Sequence, residues 1–164
     1  MQSTPWTRLT FVAMEHEPYL DAWGSLLRVQ AEVVNRIERD LASAGSLPLT
    51  WFDVLLVLSD APGNRLRLSD LAAEIVLSKS ALTRSIDRLE AEGYLKRERS
   101  PDDDRVTLAV LQPAGAEALA KARTLYRAGI RRYFAEGLSR RELEALDTTL
   151  SKVNQRLRNE KDPR

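Results

Sequence analysis

Residues Leu66–Leu111 read LRLSDLAAEIVLSKSALTRSIDRLEAEGYLKRERSPDDDRVTLAVL, and the order of signals in this stretch decides the fold. A short helix over about Ser69–Ile75 is followed by a tight turn. A longer helix runs over about Lys79–Glu92, Gly93 stops it, and two short strands follow, joined by a charged loop. That succession is a helix-turn-helix followed by a β-wing. In the longer helix Leu82, Ile86 and Leu89 recur at i, i+4 and i+7 and form an apolar stripe. Ser80, Thr83, Arg84 and Asp87 fall on the opposite side. Hydroxyls that give or take a hydrogen bond, next to an Arg that forks onto guanine, suit base edges in a DNA major groove. The same residues also describe an ordinary solvated helix surface.

The neighbours of that helix favour the first reading. Ser78 stands where an N-cap belongs, and Gly93 where a C′ glycine does. Ser100-Pro101-Asp102-Asp103-Asp104 is turn chemistry, and Val106, Leu108 and Val110 alternate as a returning strand.

On these residues the chain resembles the multiple-antibiotic-resistance regulator (MarR) family of bacterial winged-helix transcription factors, over about Tyr19–Leu157. The most specific parts are Leu71-Ala72, Ser78-Lys79-Ser80, Thr83-Arg84, Asp87-Arg88-Leu89-Glu90, Gly93-Tyr94-Leu95, and Asp103-x-Arg105 with Leu111 six residues on. The resemblance implies that the longer helix enters the major groove, with Lys79, Ser80, Thr83, Arg84 and Arg88 as its DNA contacts. It implies that Arg105 on the wing reaches the minor groove or backbone and that Asp103 orients it. Three positions depart from the family pattern. Val76 stands in a turn that often holds Gly, Asp104 replaces a frequently basic wing residue, and Gln112 replaces a capping Thr.

The 164 residues, 43% hydrophobic and 30% charged, suit one mainly α domain or two small lobes that share helices. With no Cys and one His, disulfides, thiolate zinc sites and multi-His metal sites are excluded within one chain, and no cofactor is expected. No apolar run reaches the ~20 residues of a membrane span, and Leu9–Met14 is short and followed by acids. A cytoplasmic location is the default. The sequence holds no phosphate loop, Cys nucleophile or serine elbow, so no enzyme is expected. Between Arg65 and Leu111 nine basic side chains face nine acidic ones, so affinity for a polyanion must come from where charges sit. That neutrality keeps a second reading open, a winged-helix module that binds protein.

Flanking segments supply helices. Met1–Glu17 has no clean period and is read as a partly ordered arm or as disorder. Pro18 opens a helix to about Ser43 with Gly45 as its stop, roughly 40 Å long and longer than the winged motif can cover. The next helix is expected to be capped by Thr50, with Asp53 at N3 and Leu49 stapled to Val54. Pro113 opens a helix to about Glu136, and Ser139-Arg140-Arg141-Glu142 is a capping box. Leu143, Leu146, Leu150, Val153 and Leu157 then form an a/d seam. It packs either within the chain or against a second copy; the unpartnered first helix and the resemblance both favour a homodimer.

The expected organisation is therefore an arm and dimerisation helix over 1–47, a winged helix-turn-helix lobe over 48–112, and dimerisation helices over 113–164. The expected partners are double-stranded DNA, a second copy and a small aromatic or lipophilic effector. For that effector the resemblance points to His16, Trp23, Arg28 and Trp51, each of which also reads as ordinary packing or surface.

Overall fold

The computed structural model describes residues 17–75 and 77–160. Helix α1 spans Pro18–Ser43, α2 Leu49–Asp60, α3 Leu68–Glu74, α4 Lys79–Ala91, α5 Pro113–Ile130 and α6 Arg140–Asn159. Strands β1 (Arg65–Arg67), β2 (Leu95–Arg99) and β3 (Thr107–Leu111) form an antiparallel sheet in the order β1-β3-β2. The expected class, mainly α with a small β-wing, is the observed one.

Local chemistry sets most boundaries. Pro18 stands in the first turn of α1, and Gly45, at φ 60°, ends the helix with its N–H on Ala42 O and that of Ser46 on Leu41 O. The α2 start differs from expectation. The helix begins at Leu49, the Pro48 carbonyl accepts the N–H groups of Trp51 and Phe52, and no side chain caps it. Leu49 and Phe52 lie three apart on one face and are both buried, so packing draws Leu49 into the first turn. Thr50 is then an interior residue, Asp53 lies beyond N3, and the proposed staple is lost.

The β3 strand departs from simple alternation, since Leu108 to Leu111 are all buried. As the middle strand it is covered on both faces. Ala109 and Leu111 face the core, while Val110 sits between Arg65 and Lys96 and Leu108 between Arg67 and Glu98, whose aliphatic stems flank them. Val106 belongs to the loop, where its carbonyl accepts the Ser100 N–H at 2.9 Å. Gln112, as foreseen for a poor cap, makes no capping bond to α5. After Ile130 the chain continues as a π-helical turn, Arg131–Ala135.

Phe52, Leu55, Leu58, Leu71 and Leu89 centre the core between α2, α3, α4 and the sheet. One close approach joins this lobe to α5, and another joins α5 to α1. A Cβ on Gly115 of α5 would lie 2.1 Å from Tyr94 O, and one on Gly129 would lie 2.7 Å from Ile37 of α1. Tyr126 of α5 stacks on Phe52 at 4.6 Å between centroids, and the Tyr133 hydroxyl donates to Asp40 at 2.8 Å. By contrast, α6 has no buried residue in the single chain.

Candidate nucleic-acid interface

The polar face of α4 is built by its two ends and its buried stripe. At the start, the Ser78 hydroxyl accepts the Ala81 N–H at 3.3 Å. At the end, the Gly93 N–H donates to Glu90 O and the Tyr94 N–H to Leu89 O, both at 2.9 Å, with Gly93 at φ 72°. This paired closure turns the chain sharply into β2. Leu82, Ile86 and Leu89 are buried as expected, which fixes the rotation of the helix. Ser80, Thr83, Arg84, Asp87 and Arg88 are consequently exposed on the outward side. Only the backbone of Lys79 is described; it is the first residue of the helix. Val76, in the preceding turn, lies outside the described residues, as does His16.

The wing is closed by its own loop. The Val106 N–H donates to Asp103 O, and the Asp103 carboxylate accepts the backbone N–H of Arg105, each at 2.9 Å. Asp103 thus orients Arg105 through the main chain, leaving the guanidinium exposed beside the loop tip. The Arg99 guanidinium donates to the Asp104 carbonyl and braces the same turn.

Sequence reasoning missed Arg97. This β2 residue points to the core side of the sheet, where its guanidinium donates to both Glu90 and Asp87 of α4. Its backbone N–H donates to the other Glu90 oxygen at 2.8 Å. Burial opposes the guanidinium's charge, but the bonds to Asp87 and Glu90 outweigh it and hold the pKa above the ordinary value. Wing and helix are therefore tied by charge-assisted bonds, and two of the helix's acids are neutralised. The signal was present as acids at i and i+3 followed by a strand cation, but only the register of β2 shows which way that cation faces. Lys96 pairs with Glu98 on the outer face. Among the described residues Arg84, Arg88 and Arg105 make no ion pair.

The residues proposed for an effector do not converge. Trp23 and Arg28 lie on an exposed part of α1, where Arg28 donates to Ser25 at 3.2 Å. Trp51 instead meets Tyr94 edge-on at 6.4 Å and lines a cavity of about 620 Å³ with Tyr94, Leu47, Lys121 and Leu125. Neither Trp23 nor Arg28 lines that cavity.

A capped helix with a polar outward face, held by charge to a hairpin that flanks it, defines a winged helix-turn-helix. The MarR family model matches residues 46–106. The chain is 30% identical over 146 residues to the uncharacterized HTH-type transcriptional regulator YkoM of Bacillus subtilis, covering 89% of this chain and 92% of that protein. It is similar in structure to AbsC, a MarR family transcriptional regulator from Streptomyces coelicolor, with a TM-score of 0.78 and 32% identity, over 91% of this chain and all (100%) of that one. Its fold is also that of Sco3205 from Streptomyces coelicolor, solved in complex with DNA, with a TM-score of 0.76 and 23% identity over 88% and 91% of the two chains. The chain belongs to the MarR family of transcriptional regulators. It is a DNA-binding regulator and not an enzyme.

Proposed function

We propose that the chain acts in the cytoplasm as a homodimeric repressor that binds a pseudo-palindromic operator, with two copies of α4 in successive major grooves. The observation that carries this reading is the exposed face of α4, where Arg84 has no ion-pair partner among the described residues beside Ser80 and Thr83. In it Lys79, Ser80, Thr83 and Arg84 contact bases and phosphates, Arg88 contacts phosphate, and Arg105 reaches from the wing with Asp103 setting its backbone. Two-fold symmetry places the half-sites about one helical turn, ~10 bp, apart. The three-part division at residues 47 and 112 follows, with α1, α5 and α6 making the dimer.

The apolar face left uncovered in one chain supports the dimer. Trp23 is 56% exposed, Val153 49% and Leu157 57%. Exposed apolar side chains on two long helices suit a second copy. A small aromatic or lipophilic effector would act by favouring one spacing of the reading heads, and the cavity lined by Trp51 and Tyr94 adjoins both α2 and α5.

Selection of bound fragments from genomic DNA, followed by duplex titration at two salt concentrations, tests the reading. Arg84→Ala should weaken binding to the selected site by about 1–3 kcal/mol and relax preference at one base position. Unchanged affinity would refute the placement of α4. A chain that binds no duplex even at low salt would instead be a protein-interaction module.

A further inference from the structure

We propose that Tyr133 is a positioning residue for operator spacing, because its grip on α1 sets the direction in which α6 leaves the chain's body; this role rests on the dimer of the proposed function. Tyr133 lies in the π-helical turn Arg131–Ala135 that follows α5. Its hydroxyl donates to the Asp40 carboxylate at 2.8 Å, and the guanidinium carbons of Arg36 and Arg132 lie over its ring, 5.6 and 5.4 Å from the centre. Arg36 and Asp40 are one helical turn apart, so a single face of α1 holds both the ring and its hydroxyl. Arg36 is itself steadied by Glu32, whose carboxylate accepts its Nε–H at 2.7 Å. Four residues before Tyr133, Gly129 brings the α5 backbone against Ile37 of the same helix. Single π-turns are uncommon and gather at functional positions, and this one carries the residue that ties the end of α5 to α1.

From Tyr133 to α6 the chain has little slack. The Glu136 N–H donates to Arg131 O at 2.8 Å and the Leu138 N–H to Ala135 O at 3.1 Å, with Gly137 at φ 92° between them. Ser139 then closes the capping box with Glu142. No α6 residue is buried within the single chain, so the direction of this helix is decided at its root and not along its length. With 20 residues α6 is roughly 30 Å long. A tilt of about 5° at the root therefore moves its far end by about 2.6 Å, most of the ~3.4 Å rise of one base pair. In a dimer joined through α6, that displacement passes to the separation of the two α4 helices. Tyr133 acts on DNA only by this route.

The test uses the full-length protein and three duplexes: the site selected from genomic DNA, the same site with one base pair inserted between its half-sites, and a single half-site. The wild type should bind the selected spacing at least about tenfold more tightly than the widened one. Tyr133→Phe, which removes only the hydroxyl, should narrow that preference about 3–10-fold and leave half-site affinity unchanged. Asp40→Ala should match it, the double variant should be no worse than either, and Asp40→Asn, which keeps an acceptor, should restore most of the preference. Asp40 is exposed, so its variants report even if Tyr133→Phe fails to fold. An equal loss on all three duplexes would make Tyr133 a stabiliser of the fold alone and overturn the positioning role. An unchanged preference in the variants, or a wild-type dimer indifferent to spacing, would overturn it too, while the dimer reading stands. A wild type that sediments as a monomer, or binds none of the duplexes, removes the proposed function and the positioning role together.

Discussion

Leu150→Asp tests whether α6 is an interface. Leu150 is 39% exposed in the single chain, in a row with Val153 and Leu157. Covering a fully exposed Leu contributes about 1.5–3 kcal/mol, so covering the exposed part of this one contributes about 0.6–1.2 kcal/mol per copy. A two-fold interface counts it twice, about 1.2–2.4 kcal/mol. Placing a carboxylate there adds a desolvation cost of at least about 1–3 kcal/mol per copy, about 2–6 kcal/mol for the two. The dimer should therefore weaken by roughly 3–8 kcal/mol, a rise in dissociation constant of more than about 100-fold. The monomer should stay folded, because no α6 residue is buried within it. Sedimentation velocity over a concentration series reads the first effect, and circular dichroism the second. Operator binding should fall in parallel, since each half-site then binds alone. An unchanged dimer constant would refute the interface and leave the exposed row without a role.

Three further perturbations address the joints around α4. Arg97→Met should cost about 1–2 kcal/mol in urea unfolding, allowing for the partial exposure of both ion pairs, and should weaken duplex binding as well. Equal duplex affinity would show that the tie between wing and helix is dispensable. Gly115→Ala puts a methyl group 2.1 Å from Tyr94 O, beside the bond that oxygen accepts from Gln112 N–H at 3.0 Å. Overpacking and a strained hydrogen bond should together cost about 2–4 kcal/mol, lowering Tm by roughly 5–15 °C in calorimetry. Asp53 concerns pH: burial raises its pKa above the ordinary 3.8, so the folded state holds the proton more tightly than the unfolded chain. Stability from this group is complete below the unfolded value and is lost as pH rises through the folded one. Asp53→Asn should therefore raise Tm more at pH 7 than at pH 4, and an equal gain at both would contradict the assignment.

What the sequence made legible was what neighbouring residues decide. Pro18 and Gly45 bound α1, Ser78 and Gly93 bound α4, and the Ser139–Glu142 capping box starts α6, because each signal acts within one turn. Thr50 was misjudged because a buried Leu49–Phe52 pair overrode a good local cap. The continuous burial of β3 depends on its being the middle strand, which alternation within one segment does not encode. The contacts of Gly129 with Ile37 and of Tyr133 with Asp40 join residues about ninety apart, beyond the reach of any periodicity.

The neutral charge count of the winged motif has a related resolution. Nine basic and nine acidic side chains cancel only if all are equally available. The fold sorts them: Arg97 engages Asp87 and Glu90, Lys96 engages Glu98, and Asp103 spends its carboxylate on a backbone amide. Arg84 and Arg88 stay outside these pairs on the outward face of α4, and Arg105 stays outside them on the wing. On the outward face of α4 a polyanion meets Arg84 and Arg88 with Asp87 and Glu90 already engaged, while among the described residues Asp102 and Asp104 stay outside any ion pair at the wing, so where the charges sit, rather than their sum, sets the attraction. The same sorting explains why Arg97→Met is expected to weaken duplex binding even though Arg97 faces the core side of its sheet. Removing it returns two uncompensated carboxylates to α4, within a Debye length, about 10 Å at 0.1 M salt, of any phosphate held by that helix.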